Sequence, residues 1–161
     1  MQSENPDKIL SFDCHLKNIL ETHSMYQSQL RQITGLSTGT VRQLMRGNTV
    51  ERIDKGTSQK ILLALDCQFY ELWNVGWGEE FVRLAVPNGL TLKFNCQLSG
   101  LLEGTGMNQK DLSRLTGLST GTIGTLYGGA DVKRIDRGTS EKILQALDCR
   151  FDRLWQISWS D

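Results

Sequence analysis

Apolar residues recur along the chain mainly at helical spacing, and they do so twice in the same arrangement. Phe12, Leu16, Ile19 and Leu20 fall at i, i+4, i+7 and i+8, one face of a first helix. Leu30 and Ile33, both turned inward, predict a second helix over about Gln27 to Thr34. Gly35 then suits the left-handed position that ends a helix. Leu36 plugs the turn, and the Ser37 hydroxyl is placed to accept from the free N–H groups of the next helix. That third helix buries Val41 and Leu44 and stops at Gly47. After a polar loop, Thr57 to Cys67 predicts a fourth helix with Ile61, Leu62, Ala64 and Leu65 inside. Phe69, Leu72 and Trp73 predict a short fifth. The second half repeats these signals at Leu112, Leu115, Gly117, Leu118, Ser119, Ile123, Leu126 and Gly129.

The repetition extends beyond pattern to identity. Phe12 to Trp77 aligns without gaps to Phe94 to Trp159 at an offset of 82 residues, and 35 of the 66 aligned positions are identical. TGLSTGT occurs at Thr34 to Thr40 and again at Thr116 to Thr122, and RIDKGTSQKILLALDC is matched by RIDRGTSEKILQALDC. The chain therefore reads as a duplicated unit of about 66 residues, near the lower size limit for a domain that folds alone. Each copy holds two tryptophans at equivalent places, Trp73 and Trp77, then Trp155 and Trp159. Between the copies the pattern changes. Phe81 to Val86 is extended in character, Pro87 interrupts it, Asn88-Gly89 is a tight-turn dipeptide, and Leu90 to Phe94 alternates. A short β-hairpin linker is expected there, with an irregular linker as the alternative. The division expected is a first domain over 1–77, a linker over 78–93 and a second domain over 94–161.

Composition bounds the function. Apolar residues make up 39% and charged residues 22%, enough to build a core. Ile61 to Leu65 is the longest aliphatic run and far too short to span a bilayer. The N-terminal stretch carries Glu4 and Asp7 and lacks an apolar signal segment, so a soluble cytoplasmic protein is expected. Cys14, Cys67, Cys96 and Cys149 form no CxxC pair, and His15 and His23 do not complete a zinc set, so buried reduced thiols and no metal are expected. His15 and His23 become Gln97 and Thr105 in the second copy and belong to no shared site. No nucleophile–base arrangement, phosphate loop or carboxylate pair stands out, so neither an enzyme nor a cofactor is expected. Gly121, Gly124, Gly128 and Gly129 follow no strand and do not make a nucleotide loop.

A helix, a Gly-containing tight turn and a second helix describe a helix-turn-helix. At QSQLRQITGLSTGTVRQLMRG and QKDLSRLTGLSTGTIGTLYGG the sequence resembles the Cro/C1 (Xre-like) repressor-type domains, and the resemblance continues through the RID loop and the ALDC helix. It implies an all-α protein, two tandem five-helix domains of this type, that binds double-stranded DNA as a transcription regulator, most simply a repressor. It also implies roles. Gln27 and Gln109 stand where the family contacts a phosphate. The third helix enters the major groove, which makes Ser37, Thr38, Thr40, Arg42 and Gln43 candidates in copy one and Ser119, Thr120, Thr122 and Thr125 in copy two. Arg46, Arg52, Lys133 and Arg134 lie near the loop where family members touch the DNA backbone. The family usually has a small residue where the two helices cross. Ser113 provides one, whereas Arg31 must angle outward or widen the crossing.

Charge qualifies this picture. The formal net charge is zero, where a nucleic-acid binder usually shows a basic excess. The helix-turn-helix halves are nonetheless basic, +3 over Met25 to Lys55 and +2 over Met107 to Arg137, counted from their Lys, Arg, Asp and Glu residues. Phosphate neutralisation is local, so modest non-specific binding is expected. Two plainer readings stand beside the DNA reading. The Ser37 to Thr40 run can be nothing more than a cap and a turn, and Arg52 and Asp54 can simply pair with each other. A protein-interaction module, antitoxin-like or scaffold, is the functional alternative. A homodimer is a further possibility, with Trp77, Trp159 and the linker packing the copies together or against another chain. Neither a membrane nor a small-molecule ligand is indicated, and the location implied is the cytoplasm, with the nucleoid.

Overall fold

The computed structural model describes residues 8–47, 50–83 and 89–160. Among the described residues each copy contains five helices. In the first these are α1 (Leu16–Thr22), α2 (Gln27–Thr34), α3 (Thr38–Arg46), α4 (Lys55–Leu65) and α5 (Phe69–Leu72). In the second they are α6 (Leu98–Thr105), α7 (Gln109–Thr116), α8 (Thr120–Tyr127), α9 (Arg137–Leu147) and α10 (Phe151–Leu154). No helix among the described residues is long and apolar enough to cross a membrane.

The all-α expectation is overturned, because the described residues also form seven strands in three sheets. β1 (Leu10–Cys14) pairs antiparallel with β3 (Trp73–Trp77), Phe12 opposite Val75, and β4 (Glu80–Val82) adds to the far edge of β3. In the second copy β5 (Thr91–Cys96) pairs with β7 (Trp155–Ser160), Phe94 opposite Ile157. Phe12 thus belongs to a strand, not to the first helix, and Trp73 opens β3 instead of ending α5. The residues obey period two: Leu10, Phe12 and Cys14 are buried while Ser11 and Asp13 are half-buried. The helical reading failed because Phe12 also stands four residues before Leu16. Of the expected linker hairpin, the described flanks pair elsewhere, β4 with β3 and β5 with β7. Val86, Pro87 and Asn88 lie outside the described residues.

The third sheet unites the copies. β2 (Arg52–Asp54) pairs antiparallel with β6 (Arg134–Asp136), and Ile53 lies opposite its own counterpart Ile135. An antiparallel pair between equivalent residues requires a local two-fold relation, so a pseudo-dyad passes between Ile53 and Ile135. The other contacts between copies obey it. Lys55 N–H donates to the Lys133 carbonyl and Arg137 N–H to the Glu51 carbonyl, both at 2.8 Å. Leu10 N–H donates to the Glu141 carboxylate and Leu92 N–H to the Gln59 amide oxygen, both at 2.9 Å. Each sheet packs on the long helix of the other copy, β1 on α9 and β5 on α4. Phe12 meets Phe151 edge-on at 5.8 Å between ring centroids, and Phe69 meets Phe94 at 6.2 Å. The core is consequently one apolar cluster that runs through both copies.

The two buried serines are matched in the same paired way. Trp73 Nε1 donates to the buried Ser58 hydroxyl and Trp155 Nε1 to that of Ser140, both at 3.0 Å. Lys55 pairs with Asp131 across the boundary, and Arg137 joins Glu51 at 3.3 Å and Glu141 at 3.4 Å.

Candidate nucleic-acid interface

The TGLSTGT block builds the tight turn between two helices, and nearly every residue in it has a local task. Thr34 Oγ1 donates to the Leu30 carbonyl at 2.8 Å and accepts from Leu36 N–H at 3.2 Å, closing the last turn of α2. Gly35 sits at φ 75° with nothing within 4 Å of where a Cβ would be, so backbone conformation alone requires glycine there. Leu36 packs against the core. Ser37 Oγ accepts from Thr40 N–H at 3.1 Å, capping α3, and donates to Thr40 Oγ1 at 3.0 Å. The second copy repeats this with Thr116, Gly117, Leu118, Ser119 and Thr122. These side chains thus close the turns and cap α3 and α8.

Helix α3 buries Val41 and Leu44 and leaves Thr38, Arg42, Gln43 and Arg46 exposed, with Thr40 half-buried. Arg31 angles outward across the turn, and its guanidinium donates to the Thr38 hydroxyl at 3.0 Å. Its counterpart Ser113 instead donates to the Leu118 carbonyl at 2.7 Å. In α8, Ile123 and Leu126 are buried, Thr120 and Thr125 are exposed and Thr122 is half-buried. The Thr125 hydroxyl donates back to the Gly121 carbonyl at 3.0 Å. Gly124 lies inside α8, whereas Gly128 forms its C-cap. Gln27 and Gln109 both begin their helices, α2 and α7. Gln27 is exposed, while Gln109 leans on α8, its Oε1 3.8 Å from where a Gly124 Cβ would be. Ile33 and Leu115, expected inside, are 60% and 63% exposed on the last turns of α2 and α7.

The two exposed helix faces flank the β2–β6 ribbon. A groove of about 370 Å³ between α3 and the ribbon is lined by Thr40, Gln43, Arg52, Asp54 and Arg134. Its pseudo-dyad mate of about 310 Å³ is lined by Thr122, Thr125, Lys133, Arg134 and Asp136. Because Arg134 lines both grooves, α3, the ribbon and α8 form one continuous surface. Periodicity offers no hint of this ribbon, since three residues are too few for a period.

Charges on the ribbon pair between copies. Arg52 lies 3.6 Å from Asp136, not against Asp54. Asp54 caps α4 by accepting from Thr57 N–H, and Asp136 caps α9 through Thr139 N–H, both at 2.9 Å. Partial burial raises the Asp136 pKa, but the bonds from Thr139 and the charge and hydrogen bond of Arg52 outweigh it and hold the carboxyl below the ordinary range. Asp131 behaves alike: burial is outweighed by the Lys55 bond, the Phe94 N–H bond and the charges of Lys55 and Lys93. Arg46, at the end of α3, and Lys133, just before β6, are exposed.

The four cysteines are free thiols, buried at Cys14, Cys67 and Cys96 and half-buried at Cys149. Among the described residues no cluster of three or more His, Cys, Asp or Glu is placed to hold a metal ion.

The family model described as the Cro/C1-type HTH DNA-binding domain matches residues 15–75 and again residues 95–155. No curated protein and no solved structure matches the chain significantly.

Proposed function

The chain belongs to the Cro/C1-type helix-turn-helix DNA-binding family and is a DNA-binding transcription regulator, and from that premise we propose that it is a repressor whose two copies read neighbouring half-sites on one duplex. The observation that carries the proposal is the single surface on which α3 and α8 stand either side of a pseudo-dyad. Most single helix-turn-helix proteins reach that arrangement by dimerising, with half-sites about 34 Å apart, one turn of the duplex. Here the second reading head is covalently present, so once the first has landed the second meets DNA at high effective concentration.

The roles follow from exposure and chemistry. Thr38, Arg42 and Gln43 meet base edges in one major groove, and Thr120 and Thr125 meet them in the next. A glutamine can pair with adenine through two bonds, and a threonine methyl can pack on thymine. Gln27 and Gln109 contact phosphates beside them. Ser37, Thr40, Ser119 and Thr122 set the helix N-termini that approach the backbone. Arg46 and Lys133 neutralise phosphate charge, and Arg52 and Arg134 add positive charge on the ribbon between the two heads. Counterion release by Arg46, Arg52, Lys133 and Arg134 gives a salt slope of binding of roughly −4.

The half-sites are expected to differ, because Arg42, Gln43 and Arg46 in copy one correspond to Gly124, Thr125 and Gly128 in copy two. Copy one accordingly carries more of the affinity. The test is selection of duplexes from a random pool with the intact chain, followed by titration over a range of salt. Two related but unequal half-sites one turn apart support the reading. Failure to enrich any duplex at low salt refutes it and favours a protein-interaction module on this fold. A reporter placed behind the selected site decides the sign of regulation, with lowered expression expected.

A further inference from the structure

Two recognition helices seated in successive major grooves on one face of a duplex leave one minor groove facing the protein between them. Between α3 and α8 stands the β2–β6 ribbon. Ile53 and Ile135 are fully buried beneath it, and strand alternation turns residues 52, 54, 134 and 136 to the opposite face. Two strands about 4.8 Å apart, with their side chains, are too broad for a minor groove about 6 Å wide. Only long side chains can enter from such a ribbon. The two carboxylates on this face, Asp54 and Asp136, accept from the N-termini of α4 and α9. Arg52 leans on Asp136 with 60% of its side chain exposed. Arg134 has no ion pair among the described residues and lies between the two grooves.

Building on the two-headed reading above, we infer that Arg52 and Arg134 reach into the minor groove at the centre of the site, Arg134 the more deeply, and make the protein select A·T pairs there. The chemistry discriminates in two ways. A·T-rich steps narrow the minor groove and deepen its negative potential, which attracts a guanidinium. A G·C pair adds the guanine 2-amino group, a donor that opposes another donor. The ribbon thus reads base pairs that neither recognition helix touches, and it exists only because the two copies are paired.

The test uses the full chain and its selected duplex, with the two central base pairs written as A·T, G·C or I·C. Inosine lacks the 2-amino group but keeps the guanine major-groove edge. The expected result is G·C binding weaker by about fivefold to tenfold per central pair, with I·C recovering most of the loss. Arg134→Ala should erase the A·T over G·C preference while leaving discrimination within the half-sites intact, and Arg52→Ala should reduce it less. Equal binding of the three duplexes overturns the inference, as does G·C equal to I·C or a preference that survives Arg134→Ala. Loss of discrimination in the half-sites themselves would instead count against the two-headed reading, so the two failures are distinguishable.

Discussion

Replacing Phe151 by Ala tests whether the two copies fold as one body. Phe151 and Phe12 are both 0% exposed and meet edge-on across the boundary between copies. Truncating a buried phenylalanine costs about 3–5 kcal/mol, of which about 0.5–1.5 kcal/mol belongs to the aromatic pair itself. A domain of this kind has about 5–15 kcal/mol in total, so one substitution in the second copy removes a large share of the stability of both. At about 2–4 °C per kcal/mol for a chain of this size, the melting temperature should fall by about 6–20 °C. Urea unfolding followed by tryptophan fluorescence and by far-UV circular dichroism reads the outcome. Wild type and variant should each give one coincident transition, with the midpoint lowered and the slope unchanged. A double-mutant cycle with Phe12→Ala should return a coupling of about 0.5–1.5 kcal/mol. Two separate transitions, or a loss below about 1 kcal/mol, would refute the interlocked core.

Further outcomes follow from the same geometry. Burial pushes the Cys14 and Cys67 thiols up to about 12 and those of Cys96 and Cys149 to about 11, from an ordinary 9.0. Folded values above the unfolded one mean stability that is intact below pH 9.0 and lost as pH rises toward about 12, which alkaline melting curves will show. In the native protein a thiol reagent near neutral pH should modify Cys149 first and the other three only as fast as the chain opens. Ser37→Ala removes the α3 cap and should cost about 0.5–2 kcal/mol in urea titrations, and Ser119→Ala the same for α8. Arg42→Ala with Arg46→Ala should weaken DNA binding more than Lys133→Ala with Arg134→Ala and, through the phosphate contact of Arg46, flatten the salt slope by about one. Equal losses would remove the asymmetry between copies.

The parts of this fold that depend on near neighbours were legible in the sequence. The turn at Gly35, the cap at Ser37 and the span of α2 all follow from residues within a few positions of one another. What depends on distant partners was not. Phe12 fits a helical face and a strand equally well, and only its pairing with Val75 decides between them. Arg52 had Asp54 beside it in sequence, yet its partner Asp136 comes from the other copy. Ile33 and Leu115 matched the inward face by periodicity, but the helix pair is small and its last turn overhangs the core. Most of the candidate contact residues were legible because they lie on one helix in each copy. The joining of α3 and α8 into one surface was not, since the ribbon that sets it spans only Arg52–Asp54 and Arg134–Asp136.

Hydroxyl-radical footprinting of the intact chain on its selected duplex, with stoichiometry measured in the same solution, tests the central claim most directly. One chain per duplex should protect two patches about one helical turn apart on a single face, joined by protection of the minor groove between them. Protection confined to one half-site, or two chains required for the full footprint, would contradict it.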